Sequence, residues 1–205
     1  MAHGSLSPGK PCGRGTPRRF LNPQDGFWYV QITQGESHVS GNPREILTTV
    51  LGSCIAACIR DPHAGVGGMN HFLLPEGGGA DRDAARFGVN AMELLINGLL
   101  KAGAMRNRLE AKLFGGANVI AGLSDVGSRN ARFARKFLGD EAIALVGGDV
   151  GGQHPRRIQF WPSSGRARQI AMPVGEGRRV VESELAQSAN TSNRQLQEAS
   201  DVELF

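Results

Sequence analysis

Cys54 follows a Gly-Ser pair at the head of an apolar run, in Thr48-Thr49-Val50-Leu51-Gly52-Ser53-Cys54. Gly52 permits a tight backbone path that aims amide N–H groups into a pocket. Such amides lower a thiol pKa and hold an oxyanion, which makes the N–H groups of Ser53 and Cys54 candidate donors. The next histidine in a strand-like pattern is His71, in Gly68-Met69-Asn70-His71-Phe72-Leu73-Leu74-Pro75. A hairpin return through the turns between Asp61 and Gly68 brings His71 alongside Cys54, the pairing a thiol nucleophile needs. The hydroxyls of Thr48 and Thr49 and the carboxylate of Asp149 are open candidates for a third group that orients the imidazole.

Each of these residues also has a bland role. A buried cysteine is usually a small hydrophobe. Cys58, of the same strand parity as Cys54 but deeper in the apolar run, is expected in the core, and Cys12 is incidental. Cys54, Cys58, His63 and His71 match no usual zinc spacing, so no metal is expected. No Walker loop, HExxH or dinucleotide loop occurs, so no cofactor is expected, and the glycine pairs at 147–148 and 151–152 read as turns. Arg129, Arg132, Arg135 and Lys136 form a basic face on a short helical stretch, either solvated surface or a dock for an acidic helix.

The elements that must position these residues are short. Residues 27–32, 46–50, 55–60, 66–74, 109–114, 142–146, 157–161 and 168–172 read as strands. The run 55–60 is continuously apolar, as in a strand buried on both faces. A helix is expected over 82–102, with Val89, Met92, Leu95, Ile96, Leu99 and Leu100 inward, Glu93, Asn97 and Lys101 wet, and Gly103 as its stop. A second is expected over 128–138, with Ala131, Ala134, Phe137 and Leu138 inward. Strands outnumber helices without a clean βαβα order, which predicts a single α+β domain with mixed sheet layers and two main helices.

The 205 residues are 40% apolar and 20% charged, a globular composition. Residues 1–26, rich in Gly, Pro, Ser and Arg, read as a disordered arm, residues 27–182 as the folded unit, and residues 183–205 as a polar tail. The longest apolar run, Val50 to Ile59, is far short of the ~20 residues of a spanning helix, so no membrane insertion is expected. The first residues lack the apolar centre of a secretory signal, and three cysteines form no disulfide framework; both point to the cytoplasm. The net charge of +4 favours an acidic partner surface, but 6% aromatics argue against nucleic acid.

TTVLGSCIAACIRDP followed by GGMNHFLLP resembles the chemoreceptor glutamine deamidase family of bacterial chemotaxis, CheD. LEAKLFGGANV (109–119), VGSRNARFARKFL (126–138) and GGDVGGQHPRRIQFWPSSGR (147–166) extend the likeness over about 28–175. The resemblance implies a fold similar to that of the cytotoxic necrotizing type of toxin deamidase. It implies hydrolysis of glutamine side-chain amides in the cytoplasmic helices of methyl-accepting chemotaxis receptors. It also implies a catalytic set of Cys54 as nucleophile, His71 as general acid and base, and Thr48 to orient His71. Some family members also bind a CheC-type phosphatase. A regulatory binding role, or another thiol acyl transfer such as transglutamination, is the alternative.

Overall fold

The computed structural model describes residues 17–74, 81–118 and 125–172. At its centre is the hairpin of β5 (Ile55–Asp61) and β6 (Val66–Asn70). Ile55, Ala57 and Ile59 point to one side of β5 and Ala56 and Cys58 to the other, and all five are buried. The expected two-sided burial of this strand therefore holds. Asp61 locks the turn: Oδ1 accepts the amides of His63 and Ala64, and Oδ2 accepts Met105 N–H and the Arg108 guanidinium. The hairpin register is thus pinned at the end remote from Cys54.

Two five-stranded sheets flank the central layer of side chains. One is ordered β1-β2-β4-β9-β10, from Arg18–Leu21, Trp28–Gln31, Glu45–Leu51, Arg156–Phe160 and Ala167–Ala171. The other is ordered β3-β6-β5-β7-β8, adding Ser37–Ser40, Glu110–Gly115 and Ala144–Val150. The β2–β4 and β7–β8 pairs are parallel and the rest antiparallel, so both sheets are mixed. Between the sheets lie Val30, Leu47, Leu51, Cys54, Ala56, Cys58, Met69, Leu73, Ile158 and Phe160. Helices α1 (Asp81–Lys101) and α2 (Val126–Asp140) cover the outer face of the second sheet. There Met92, Leu95, Ile96, Leu99, Ala134, Phe137 and Leu138 pack on Ile55, Ala57, Ile59 and Phe72. The α+β architecture with two main helices is as expected.

Several elements depart from expectation. Arg18–Leu21, assigned to the disordered arm, is a strand paired with β2, and Arg19 reaches the buried Glu45 at 2.9 Å while stacking on Trp28. Its side chains are exposed, so apolar patterning could not reveal it. Ser37–Ser40 is also a strand that its polar composition hid. Gly147 and Gly148 lie inside β8 rather than in a turn, beside a register shift opposite Ala111 and Lys112. Gly148 has φ +125°, which a side chain rarely tolerates. Val89 is 41% exposed rather than inward; Gly88 takes the buried position, where a Cβ would meet the Phe133 ring at 2.5 Å. The end of the folded unit at 182 and the tail over 183–205 lie outside the described residues.

Candidate active site

The hairpin itself places Cys54 and His71 on one face. Cys58 pairs with Met69, and Ile55 exchanges both backbone hydrogen bonds with Phe72 at 2.9 Å. The same register sets Ala56 opposite His71 and Cys54 opposite Leu73. Cys54 and His71 are therefore diagonal cross-strand neighbours, a relation that typically spans about 7–8 Å. Both look into the space between the sheets, with Cys54 0% and His71 5% exposed. His71 is also tied along its backbone: its N–H donates to Glu36 O at 3.1 Å and its carbonyl accepts Gly35 N–H at 2.7 Å.

The hydroxyl that meets the imidazole comes from the other sheet and is that of Thr49. Its Oγ1 lies 2.9 Å from His71 Nδ1. Thr48, expected in this role, instead donates from Oγ1 to Ile158 O at 3.0 Å. The reason is strand parity. In β4, Leu47, Thr49 and Leu51 are buried toward the central layer, while Thr48 and Val50 lie on the opposite, half-buried face. The six-residue spacing of Thr48 and Cys54 would give a shared face only in one unbroken strand, and β4 ends at Leu51 before a bend at Gly52-Ser53. Asp149 is occupied elsewhere, paired with Arg156 at 2.9 Å and accepting Gln169 Nε2.

The turn that carries the thiol is held from behind. Ala117 N–H donates to Gly52 O at 2.8 Å, Asn130 Nδ2 to Ser53 O at 2.9 Å, and Gly116 N–H to Cys54 O at 2.8 Å. A trans peptide is planar, with N–H opposed to C=O. Fixing the carbonyls of Gly52 and Ser53 against Ala117 and Asn130 therefore turns the N–H groups of Ser53 and Cys54 away from them. Gly115 is needed where this corner closes: with φ +104°, a Cβ would sit 2.1 Å from Cys54 O. In front of the thiol, Sγ lies 3.8 Å from Oε1 of Gln34, on the turn after β2. No signal in the sequence pointed to Gln34; Asn130 falls in the stretch 126–138 that carries the family likeness, with no role assigned to it there.

Complete burial pushes the Cys58 thiol far up, and nearby Lys112 offsets this only in part, so Cys58 stays a neutral core group. Burial lowers His71 to about 4, against an opposing hydrogen bond with the Ile32 backbone. The imidazole is thus neutral near pH 7 and able to accept a proton.

Among the described residues no group of three or more His, Cys, Asp and Glu is arranged to hold a metal ion. His63 sits at the turn end of the hairpin, remote from Cys54. Arg132, Arg135 and Lys136 are exposed on α2, and Arg129 is half-buried. Two of these charges are paired within the helix region, Arg132 with Asp125 at 3.4 Å and Lys136 with Asp140 at 2.7 Å. No described helix is long and apolar enough to cross a membrane.

A cysteine and a neutral histidine on adjacent hairpin strands, with a hydroxyl on the far imidazole nitrogen, make up the parts of a thiol acyl-transfer centre. The family described as CheD chemotactic sensory transduction matches residues 73–170. A protein of Caulobacter sp. strain K31, named probable chemoreceptor glutamine deamidase CheD, is 56% identical over 180 residues, covering 86% of this chain and 92% of that one. Proteins of the same name are 63% identical in Caulobacter vibrioides (71% and 79% covered) and 58% identical in Rhizobium meliloti (75% and 85%). The chain belongs to the CheD family. Among solved structures, a Neisseria meningitidis protein of the DUF152 family aligns with TM-score 0.41 and 11% identity over 63% of this chain and 66% of that one.

Proposed function

We propose that this protein is a protein-glutamine deamidase that converts glutamines of chemotaxis receptors to glutamates. The observation that carries the reading is the convergence of Cys54, His71 and Thr49 from three strands of two sheets, in a chain whose relatives bear that name. A glutamine amide is a poor electrophile and ammonia a poor leaving group, so direct attack by water is slow. His71 Nε2 takes the thiol proton, and Sγ of Cys54 attacks the amide carbon. The N–H groups of Ser53 and Cys54 hold the oxyanion, a contribution worth about 10²–10³ in rate per donor. The proton on His71 passes to the departing nitrogen, NH₃ leaves, and a thioester remains. Water deprotonated by His71 then cleaves the thioester, giving glutamate and the free thiol.

The substrate elements are receptor helices on the cytoplasmic side, which places the protein in the cytoplasm. The exposed charges of α2, Arg132 and Arg135 foremost, meet acidic positions on such a helix, with Arg129 and Lys136 flanking them. A CheC-type phosphatase is a second partner, by mimicry of the receptor helix. The deciding experiment incubates the protein with a receptor cytoplasmic fragment and follows peptides by mass spectrometry. Conversion of specific glutamines to glutamates, lost in Cys54→Ala, is expected; an unchanged fragment overturns the reading. Amine incorporation in place of hydrolysis would mark a transglutaminase.

A further inference from the structure

The Asn130 side chain hydrogen-bonds both to the Cys54 turn and to the segment carrying His71. It is 0% exposed, on the first turns of α2. Its Nδ2 donates to Ser53 O at 2.9 Å, and its Oδ1 accepts Leu74 N–H at 3.0 Å. Ser53 precedes the nucleophile, and Leu74 lies three residues beyond His71. The first bond has a chemical consequence. The Ser53 carbonyl shares its peptide plane with the Cys54 N–H, so the amide of Asn130 sets the direction of that N–H. Neither bond touches a reacting atom.

We propose that Asn130 is a positioning residue that aims the Cys54 N–H at the oxyanion. The proposal rests on the deamidase reading and adds to it a residue from a different element. Pre-aimed donors act on the charge that develops at the substrate oxygen, so their misdirection lowers the chemical step rather than binding. Helix α2 is well suited to the task, because Ala134, Phe137 and Leu138 anchor it in the outer core. Gly127 presses it against the Gly116–Ala117 turn, where a Cβ would come within 2.4 Å of Gly116 O. The orienting amide is therefore fixed by packing that is independent of substrate.

The test is Asn130→Asp in the full chain. An ionised aspartate keeps an acceptor for Leu74 N–H but sets a carboxylate oxygen against Ser53 O, which tilts that peptide plane; a carboxyl kept protonated by burial would donate to Ser53 O as the amide does, so a second variant decides. With a receptor fragment as substrate, kcat is expected to fall about 10²-fold with KM nearly unchanged. Alkylation of Cys54 by iodoacetamide forms no oxyanion, so its plateau rate at high pH, where the thiol is fully ionised, should stay within about threefold of wild type, a split that general loosening of the fold would not give. Asn130→Ala, which removes donor and acceptor without adding charge, is the second variant and should show the same split. Equal kcat in wild type and Asn130→Ala overturns the proposal alone. So does a parallel loss of alkylation and deamidation, or failure of both variants to fold by circular dichroism, which would assign Asn130 to stability. A wild type that leaves every receptor glutamine intact overturns the deamidase reading, and this proposal with it.

Discussion

Thr49 Oγ1 and His71 Nδ1 lie 2.9 Å apart across the gap between the two sheets. This contact fixes the imidazole from a strand that belongs to neither arm of the hairpin carrying the thiol and the histidine. The orientation of His71 therefore depends on how the sheets pack, since β4 and β6 share no hydrogen-bonded ladder.

Replacing Thr49 by Val keeps shape and removes the hydroxyl. Turnover on a receptor fragment should fall about 10²-fold, the lower end of what a well-placed general base contributes. The same change at Thr48 should leave turnover within a few-fold, because Thr48 serves only the Ile158 carbonyl. A larger loss at Thr48 than at Thr49 would return the orienting role to Thr48.

Cys54→Ala should abolish deamidation and leave the fold intact, since a small buried atom group is removed. Cys58→Ala should retain activity and cost about 1–2 kcal/mol in a urea titration, the scale of a small core cavity. The reverse pattern of activities would move the nucleophile to Cys58, against its strongly raised thiol pKa.

The neutral burial of His71 makes stability depend on pH with a definite sign. Its pKa drops from 6.5 in the unfolded chain to about 4 in the fold, so the unfolded state binds the extra proton between those values. Its contribution is complete above pH 6.5 and is lost as pH falls toward 4, amounting to about 3 kcal/mol. Denaturant midpoints from pH 7 to 4 should fall more steeply for wild type than for His71→Gln. Parallel curves would show that His71 is not buried in its neutral form.

Charge on α2 bears on association. Arg132→Glu with Arg135→Glu should weaken apparent receptor affinity and flatten its salt dependence, while iodoacetamide reactivity of Cys54 stays as in wild type. The effect should be modest, because Asp125 already pairs with Arg132. Unchanged deamidation across a salt series would make this face ordinary solvated surface.

Gln34 Oε1 lies 3.8 Å from Cys54 Sγ, in contact with the atom that an incoming amide must reach. Gln34→Ala should therefore lower KM for a receptor fragment and speed alkylation of Cys54. An unchanged alkylation rate would show that the side chain does not screen the sulfur.

The sequence by itself determined the pieces whose information is local. The apolar run 55–60, the Asp61 turn and the return to His71 are contiguous, so period, turn chemistry and strand pairing placed Cys54 beside His71 on one face. The amphipathic stretches likewise specified two helices and, Val89 aside, their inward sides. Tertiary structure decided the rest. Thr48 and Thr49 are chemically equivalent neighbours, and only the end of β4 at Leu51 and its sheet's position over the hairpin select which hydroxyl meets the imidazole. Asn130 lies 77 positions from Ser53, and Gln34 lies 20 from Cys54. A polar side chain on a helix or a turn carries no mark of the distant backbone it will meet. β1 and β3 escaped notice for a related reason: an exposed edge strand and a polar one are held by ladder hydrogen bonds, which leave no apolar period to read.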